Sequence, residues 1–365
     1  MSLSAAGIVA EFNPFHFGHL SLLRQARLKT NCDVLIILMS GNWVQRGQPA
    51  IVDKWVRTWT ALSHGADLLI ELPVLTAVQP ANRFALGAVN LINQLKCSWL
   101  VFGCEDPSLD FNRLAKIQVK PKSNYHFSAA DLERRAFDRA AGTRVDLPND
   151  LLALNYARAK QRLASRIRLV PMSRKSGITS GMIRRELLNG QFQQVKQQVP
   201  DDCDSLFNRS FLDWNRFWPL LRYRLIEAPL CELHRIYQMR EGLEYRMKRS
   251  AVRSSTFRQF IHSVKTKRYT YSSLQRLCFY VLIDLTESGY RHGIHQSAYL
   301  RVLGFNQRGR QYLNQVKKRV SLPIITNSDQ TTLHGKLKWE FKAGMLTEMM
   351  LHQHEDRFRH PIIDG

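Results

Sequence analysis

Four apolar runs in the first 105 residues, each followed by a turn and a stretch of helical period, do most to limit how this chain can fold. Residues 5–10 form the first run, and a helical pattern follows over 20–29. The second run, 33–39 (DVLIILM), is apolar almost throughout, as a strand buried on both faces must be. Ser40, Gly41 and Asn42 then supply turn formers, and Asp53 stands as N-cap of a helix through Lys54, Trp55, Arg57, Trp59 and Leu62, closed by Gly65. Residues 66–72 (ADLLIEL) read as a third strand ended by Pro73, 82–94 as a helix, and 99–102 as a fourth strand ending at Gly103. Repeated βα units with short connections specify a parallel, doubly wound α/β sheet.

The turn after the first strand carries His16-Phe17-Gly18-His19. Two histidines three apart on the first turn of a helix share one face. Free N–H groups and the positive end of the helix dipole are expected to point the same way. Gly18 lets a phosphate approach the backbone closely, because no side chain intrudes. Four residues alone also describe two ordinary histidines at a helix start. Their place on the first βα turn of a parallel sheet, where such sheets bind ligands, favours a nucleotide site. Ile178-Thr179-Ser180 followed by Ile183-Arg184 puts hydroxyls at a second helix start and an arginine one turn in. Ser180 and Arg184 are therefore candidate phosphate contacts, and a capped surface helix is the alternative.

Past 107 the pattern weakens into a basic insertion with a helix over 131–140. Pro148-Asn149-Asp150 opens another helix, with Asn149 or Asp150 as cap. Residues 168–172 read as the last strand of the first domain. Helical period then dominates 217–243, 256–264 and 274–286. Val302-Leu303-Gly304-Phe305-Asn306 leads into a helix through Leu313, and 322–326 (LPIIT) reads as a short strand. The expected division is an α/β domain over 1–190 and a mainly helical, basic domain over 191–365.

The net charge of +23 is segregated. Residues 1–110 hold eight Lys or Arg against eight Asp or Glu, so 45 of the 53 basic and 22 of the 30 acidic residues lie beyond. Basic residues spread along helices and interleaved with aromatics suit a folded surface for a polyanion, with nucleic acid as the expected partner and a solubility feature as the alternative. Lys265, Lys267, Arg268 and Tyr269 mix charge with an aromatic ring and are candidate RNA contacts, a solvated helix face being the alternative. Arg46 and Lys54 suit either phosphate or nucleic-acid binding or a surface or ion-pair role; Trp43, Trp55 and Trp59 are expected in the core. No apolar run nears the ~20 residues that span a bilayer, and no basic region precedes a long apolar core at the N-terminus. Six cysteines without C-x-x-C pairs read as the reduced thiols of a cytoplasmic protein, with no structural zinc.

An ordered set of segments then resembles the bacterial tRNA(Met) cytidine acetate ligase family, within the H-x-G-H nucleotidyltransferase-like group. The set runs from Glu11 to His19, from Met39 to Gly47 (MSGNWVQRG), from Asp53 to Arg57 and from Gly65 to Pro73. It continues through Phe102-Gly103-Cys104-Glu105, Pro148-Asn149-Asp150, Glu241-Gly242-Leu243-Glu244-Tyr245-Arg246, residues 265–270 and residues 301–306. Cys104 stands where the family usually has Ser, Pro80 interrupts a usual Gln-Ser-Ala, and the stretch after Arg174 is short.

The resemblance implies a nucleotidyltransferase-like catalytic domain and a two-step ligase. ATP and acetate would give acetyladenylate, whose acetyl group passes to N4 of the wobble cytidine of elongator tRNA(Met). It implies His16 and His19 as catalytic residues and an ATP site of Ala10, Glu11, Phe12, Asn13, Pro14, Phe15, His16, Phe17, Gly18, His19, Leu20, Gly103, Asn149 and Arg174. Mg²⁺ would accompany ATP, with no ligands assigned. The alternatives are a small-molecule adenylyltransferase, which leaves the basic half unexplained, and a non-catalytic RNA-binding protein, which leaves the intact His16, Gly18 and His19 unexplained.

Overall fold

Five strands lie parallel and side by side at the centre of the computed structural model, in the order β5-β4-β1-β2-β3. They are β1 (Ala5–Ala10), β2 (Val34–Ser40), β3 (Leu68–Leu72), β4 (Trp99–Cys104) and β5 (Arg168–Ser173). The structure describes residues 2–119, 129–143, 145–174, 177–201, 203, 207, 210–296, 299–329, 332, 334–353, 356 and 359–364. Part of the expected 107–144 insertion, residues 120–128 and 144, thus lies outside the described residues.

Helices cross between the strands: α1 (Phe17–Thr30), α2 (Lys54–Ser63), the single turn α3 (Val74–Ala77), α4 (Ala81–Gln94), α5 (Phe111–Ala115), α6 (Ala129–Ala141) and α7 (Pro148–Arg162). Every residue of the central β2 is buried, which is why its sequence shows no polar alternation. Its even residues, Val34, Ile36 and Leu38, pack with α4, α5 and α7. Its odd residues, Leu35, Ile37 and Met39, pack with α1 and α2 on the opposite face. From β1 the chain moves one way to β2 and β3, then returns to β4 and β5 on the other side. The crevice between the ends of β1 and β4 is therefore a topological switch point, where open α/β sheets take ligands.

After β5 come α8 (Ser180–Leu188), α9 (Phe192–Lys196), α10 (Trp214–Glu227), α11 (Leu230–His234), α12 (Leu243–Arg253), α13 (Phe257–Val264), α14 (Tyr271–Leu282) and α15 (Glu287–Gln296). Apolar residues of α10 to α14 share a core with Trp43, Val74, Leu75 and Val78 of the α/β region. The chain ends with β6 (Leu300–Asn306), α16 (Gln307–Val316), β7 (Ile324–Ile325), α17 (Lys338–Leu351) and β8 (Ile362–Asp364).

The sheet crosses the boundary expected at 190. β6 pairs antiparallel with β3, and β7 and β8 both pair with β6, extending the sheet to eight strands. Residues 302–306, expected to lead into a helix, are strand; only Asn306 serves the helix, its side chain capping α16 by accepting from the Gly309 N–H. The apolar Val302, Leu303 and Phe305 fill the β3 edge of the sheet, and this tertiary pairing decides their conformation. The short strand expected over 322–326 narrows to Ile324–Ile325.

No helix of the described residues is long and apolar enough to cross a membrane. All six cysteines are free thiols, five of them buried.

Candidate active site

The loop from β1 to α1 folds back so that His16 becomes the N-cap of α1, with His19 one turn on. Their rings lie 3.9 Å apart. Behind them, Phe12 and Phe15 pack edge to face at 5.0 Å, and Phe12 lies 5.0 Å from the His19 ring. Phe12, Asn13, Pro14, Phe15 and Leu20 are buried, so these candidate nucleotide residues brace the loop from within. Ala10, Glu11, Gly18 and His19 are half-buried, and Phe17 is exposed.

The expected free N–H groups of α1 are not free. Phe17 donates its N–H to the Gln198 carbonyl, Gly18 donates to His16 Nδ1, and the His19 and Leu20 N–H groups reach the His16 carbonyl. The His16 ring takes up the donor that a bare helix start would offer to an anion.

That bond also sets its tautomer. Nδ1 accepts, so the neutral ring carries its proton on Nε2, which lies 3.1 Å from Ser180 Oγ. Burial lowers the His16 pKa to about 4, with the Arg174 charge adding to the effect. Burial, His16 and Arg174 hold His19 well below the ordinary imidazole range. His19 Nδ1 is buried with no hydrogen-bond partner among the described residues. Two neutral imidazoles beside an exposed arginine offer an anion hydrogen bonds and one positive charge.

Both candidate phosphate residues join the motif. Ser180 opens α8 beneath His16, and the half-buried Arg184 donates to the Asn13 carbonyl at 2.7 Å. The cap of α8 is Thr179, whose hydroxyl accepts from the Met182 N–H. Gly103 is the penultimate residue of β4, where an added Cβ would lie 3.1 Å from Arg174 Cγ. Its bare backbone leaves room beside the arginine stem.

Asn149 lies at the same sheet edge, but neither it nor Asp150 is the N-cap of α7; that position is Leu147. Glu105, just past β4, takes the capping role. Its carboxylate accepts from the Asn149 and Asp150 N–H groups at 3.1 and 3.0 Å and from Asn149 Nδ2 at 2.5 Å. Asp150 reciprocates by accepting from the Glu105 N–H at 2.8 Å. Cys104 is buried in the core, and its pKa is pushed up to about 11 by that burial.

Arg57 is a residue that sequence reading did not assign to the site. It is fully buried and donates to the carbonyls of Glu11, Ser40 and Gly41, tying the ends of β1 and β2 together. Its position inside the quoted Asp53–Arg57 segment was the only signal. Lys54 is buried in ion pairs with Glu71 at 2.9 Å and Asp356 at 2.5 Å, away from any phosphate role. Trp43 and Trp55 are buried as expected, whereas Trp59 is 41 % exposed on α2.

The candidate RNA residues fall between α13 and α14. Arg268 pairs with Glu241 at 2.6 Å and the Tyr269 hydroxyl donates to the same carboxylate, while Lys265 and Lys267 are exposed. Among the described residues, no group of three His, Cys, Asp or Glu side chains is placed to hold a metal ion.

Comparison with known proteins agrees with this geometry. The family model described as HIGH Nucleotidyl Transferase matches residues 3–360. The tRNA(Met) cytidine acetate ligase of Levilactobacillus brevis is 40% identical, covering 99% of this chain and 98% of that protein. That of Lactiplantibacillus plantarum is also 40% identical, with 98% of each covered. A crystal structure of Thermotoga maritima TmcAL bound with alpha-thio ATP superposes with a TM-score of 0.89 at 27% identity, covering 99% of both chains. The apo form I structure of the same protein gives 0.89 at 26%. With both histidines of the motif in place and the match running nearly end to end, the chain belongs to the tRNA(Met) cytidine acetate ligase family of HIGH nucleotidyl transferases.

Proposed function

We propose that this chain is an ATP-dependent ligase that acetylates N4 of the wobble cytidine of elongator tRNA(Met). The observation that carries the reading is the neutral His16–His19 pair, set between Arg174, Ser180 and Arg184 at the sheet's switch point. The names of the relatives and the ATP analogue on the Thermotoga protein support it.

In the first step an acetate oxygen attacks the α-phosphorus of ATP, and the bond to the pyrophosphate oxygen breaks. Such a transfer depends on positioning and on stabilising charge that shifts toward the leaving group. His16, with its proton on Nε2, donates to a phosphate oxygen in place of Ser180 Oγ. His19 supplies a second ring donor, and Arg174 and Arg184 supply the positive charge that the neutral imidazoles lack. The bare backbone of Gly103 admits the nucleoside. The Glu105 bond orients the Asn149 amide so that its carbonyl oxygen can accept from the nucleoside. Mg²⁺ would enter on the ATP phosphates, since the described residues form no cage for it.

In the second step the cytidine N4 attacks the acetyl carbon, AMP leaves, and the amine loses one proton. Incubation with ATP, labelled acetate and tRNA(Met), followed by nuclease digestion and mass analysis, tests the whole reaction. Label in N4-acetylcytidine at the wobble position is the expected result; unlabelled tRNA would refute the reading.

A further inference from the structure

A cleft of about 340 Å³ opens beside the catalytic loop, between α8 and the helices α10, α13 and α14. Its volume lies in the range of sites for small organic groups, about 300–1,000 Å³. Its floor is aromatic: Trp214 and Phe257 are both buried and stack at 4.5 Å with their planes 8° apart. Its rim carries Arg184, Arg258 and His262, with Tyr271 45 % exposed at the start of α14. Arg258 and His262 are exposed, and no carboxylate is paired with Arg258 among the described residues. The one carboxylate in the lining, Asp213, is already committed to capping α10 and to Asn215.

Arg184 connects this cleft to the chemistry. The same side chain lines the cleft and donates to the Asn13 carbonyl of the H-x-G-H loop. A group seated in the cleft therefore lies beside the phosphate site without displacing what binds there. An exposed aromatic ring beside an arginine that has no carboxylate partner among the described residues fits an unstacked nucleotide. The base lies on the ring and the phosphate meets arginine. A fully buried apolar ligand would not need the arginines of the rim, and a small anion would not need the ring.

We propose that this cleft takes one splayed-out nucleotide of the RNA substrate, its base on Tyr271 and its phosphate on Arg258 and His262. The inference rests on the ligase reading above and adds to it the surface that presents RNA to the activated acid.

The test uses the full chain and its Tyr271→Ala, Tyr271→Phe and Arg258→Ala variants. Three quantities are read: tRNA acetylation kcat/KM, tRNA binding against salt, and acetate-dependent exchange of pyrophosphate into ATP. Tyr271→Ala should lower acetylation kcat/KM about tenfold or more. Tyr271→Phe should stay within about threefold of the parent because it keeps the ring. Arg258→Ala should weaken tRNA binding and flatten its salt dependence. Exchange should fall by less than about twofold in all three, since the nucleotide site is untouched. Unchanged acetylation in Tyr271→Ala overturns the proposal. So does an equal loss of exchange, which would assign the cleft to ATP or acetate. An equal loss in Tyr271→Phe would show that the ring is not what matters. If the parent itself shows no exchange, the ligase reading fails, and the binding titration alone decides whether RNA uses the cleft.

Discussion

His16 does three things at once: it caps α1 through Nδ1, it presents Nε2–H to the site, and it stays neutral because it is buried near Arg174. Neutrality has a thermodynamic consequence. In the folded chain the ring titrates at about 4, against 6.5 for a free histidine. As pH falls below 6.5 the unfolded chain takes up a proton that the folded chain refuses. Stability is therefore full above that pH and declines until pH 4. The loss attributable to His16 between pH 7.5 and pH 5 is about 2 kcal/mol, and His19 acts in the same direction. Urea unfolding at the two pH values checks this. His16→Asn should lose less stability than the parent over the interval, and an equal loss would contradict the assigned cause. The spacing of the two histidines was legible in the sequence. That Nδ1 occupies a helix donor was not, because the cap depends on how the loop folds over Phe12 and Phe15.

At the scale of elements, the loop after β2 joins the two halves of the molecule. Trp43 is buried against Trp214, Phe217 and Phe279, and Trp214 donates its ring N–H to the Gly47 carbonyl at 3.1 Å. Gly47 sits at φ +74°, and an added Cβ would lie 2.4 Å from the Arg276 backbone nitrogen. Gly47→Ala therefore meets both left-handed backbone strain and a collision with α14. The expected loss of stability is about 2–4 kcal/mol by chemical denaturation, and a change under ~0.5 kcal/mol would show that the contact is not tight. The first four strands and their helices were legible because each carries its own period and its own turn residues. β6 was not, since Val302–Phe305 shows no polar alternation and its partner β3 lies more than 200 positions earlier. The cap on α7 was hidden for the same reason, because Glu105 supplies it from another element.

At the scale of the molecule, a buried charge cluster fastens the C-terminal part to the catalytic sheet. Lys54 and Arg301 each pair with both Glu71 and Asp356, at 2.5–2.9 Å, and all four side chains are almost fully buried. Lys54→Met leaves two buried carboxylates facing a single arginine and should destabilise the protein by about 3–5 kcal/mol. Equilibrium unfolding measures it, and a neutral result would mean that the cluster relaxes into solvent. Lys54 and Asp356 lie about 300 positions apart, so no local pattern revealed that this lysine serves an ion pair. The neutral first third and basic remainder were visible in the sequence, but charge alone did not show that Ser180 and Arg184, both in the basic remainder, pack against the H-x-G-H loop. On this reading His16 and His19 act directly on the nucleotide. Acetate-dependent exchange of labelled pyrophosphate into ATP, measured alongside tRNA affinity, tests it most directly. The parent chain should show exchange, His16→Ala and His19→Ala should lose it, and both variants should keep near-parental tRNA affinity. Full exchange in either variant, or equal loss of exchange and tRNA affinity, would contradict it.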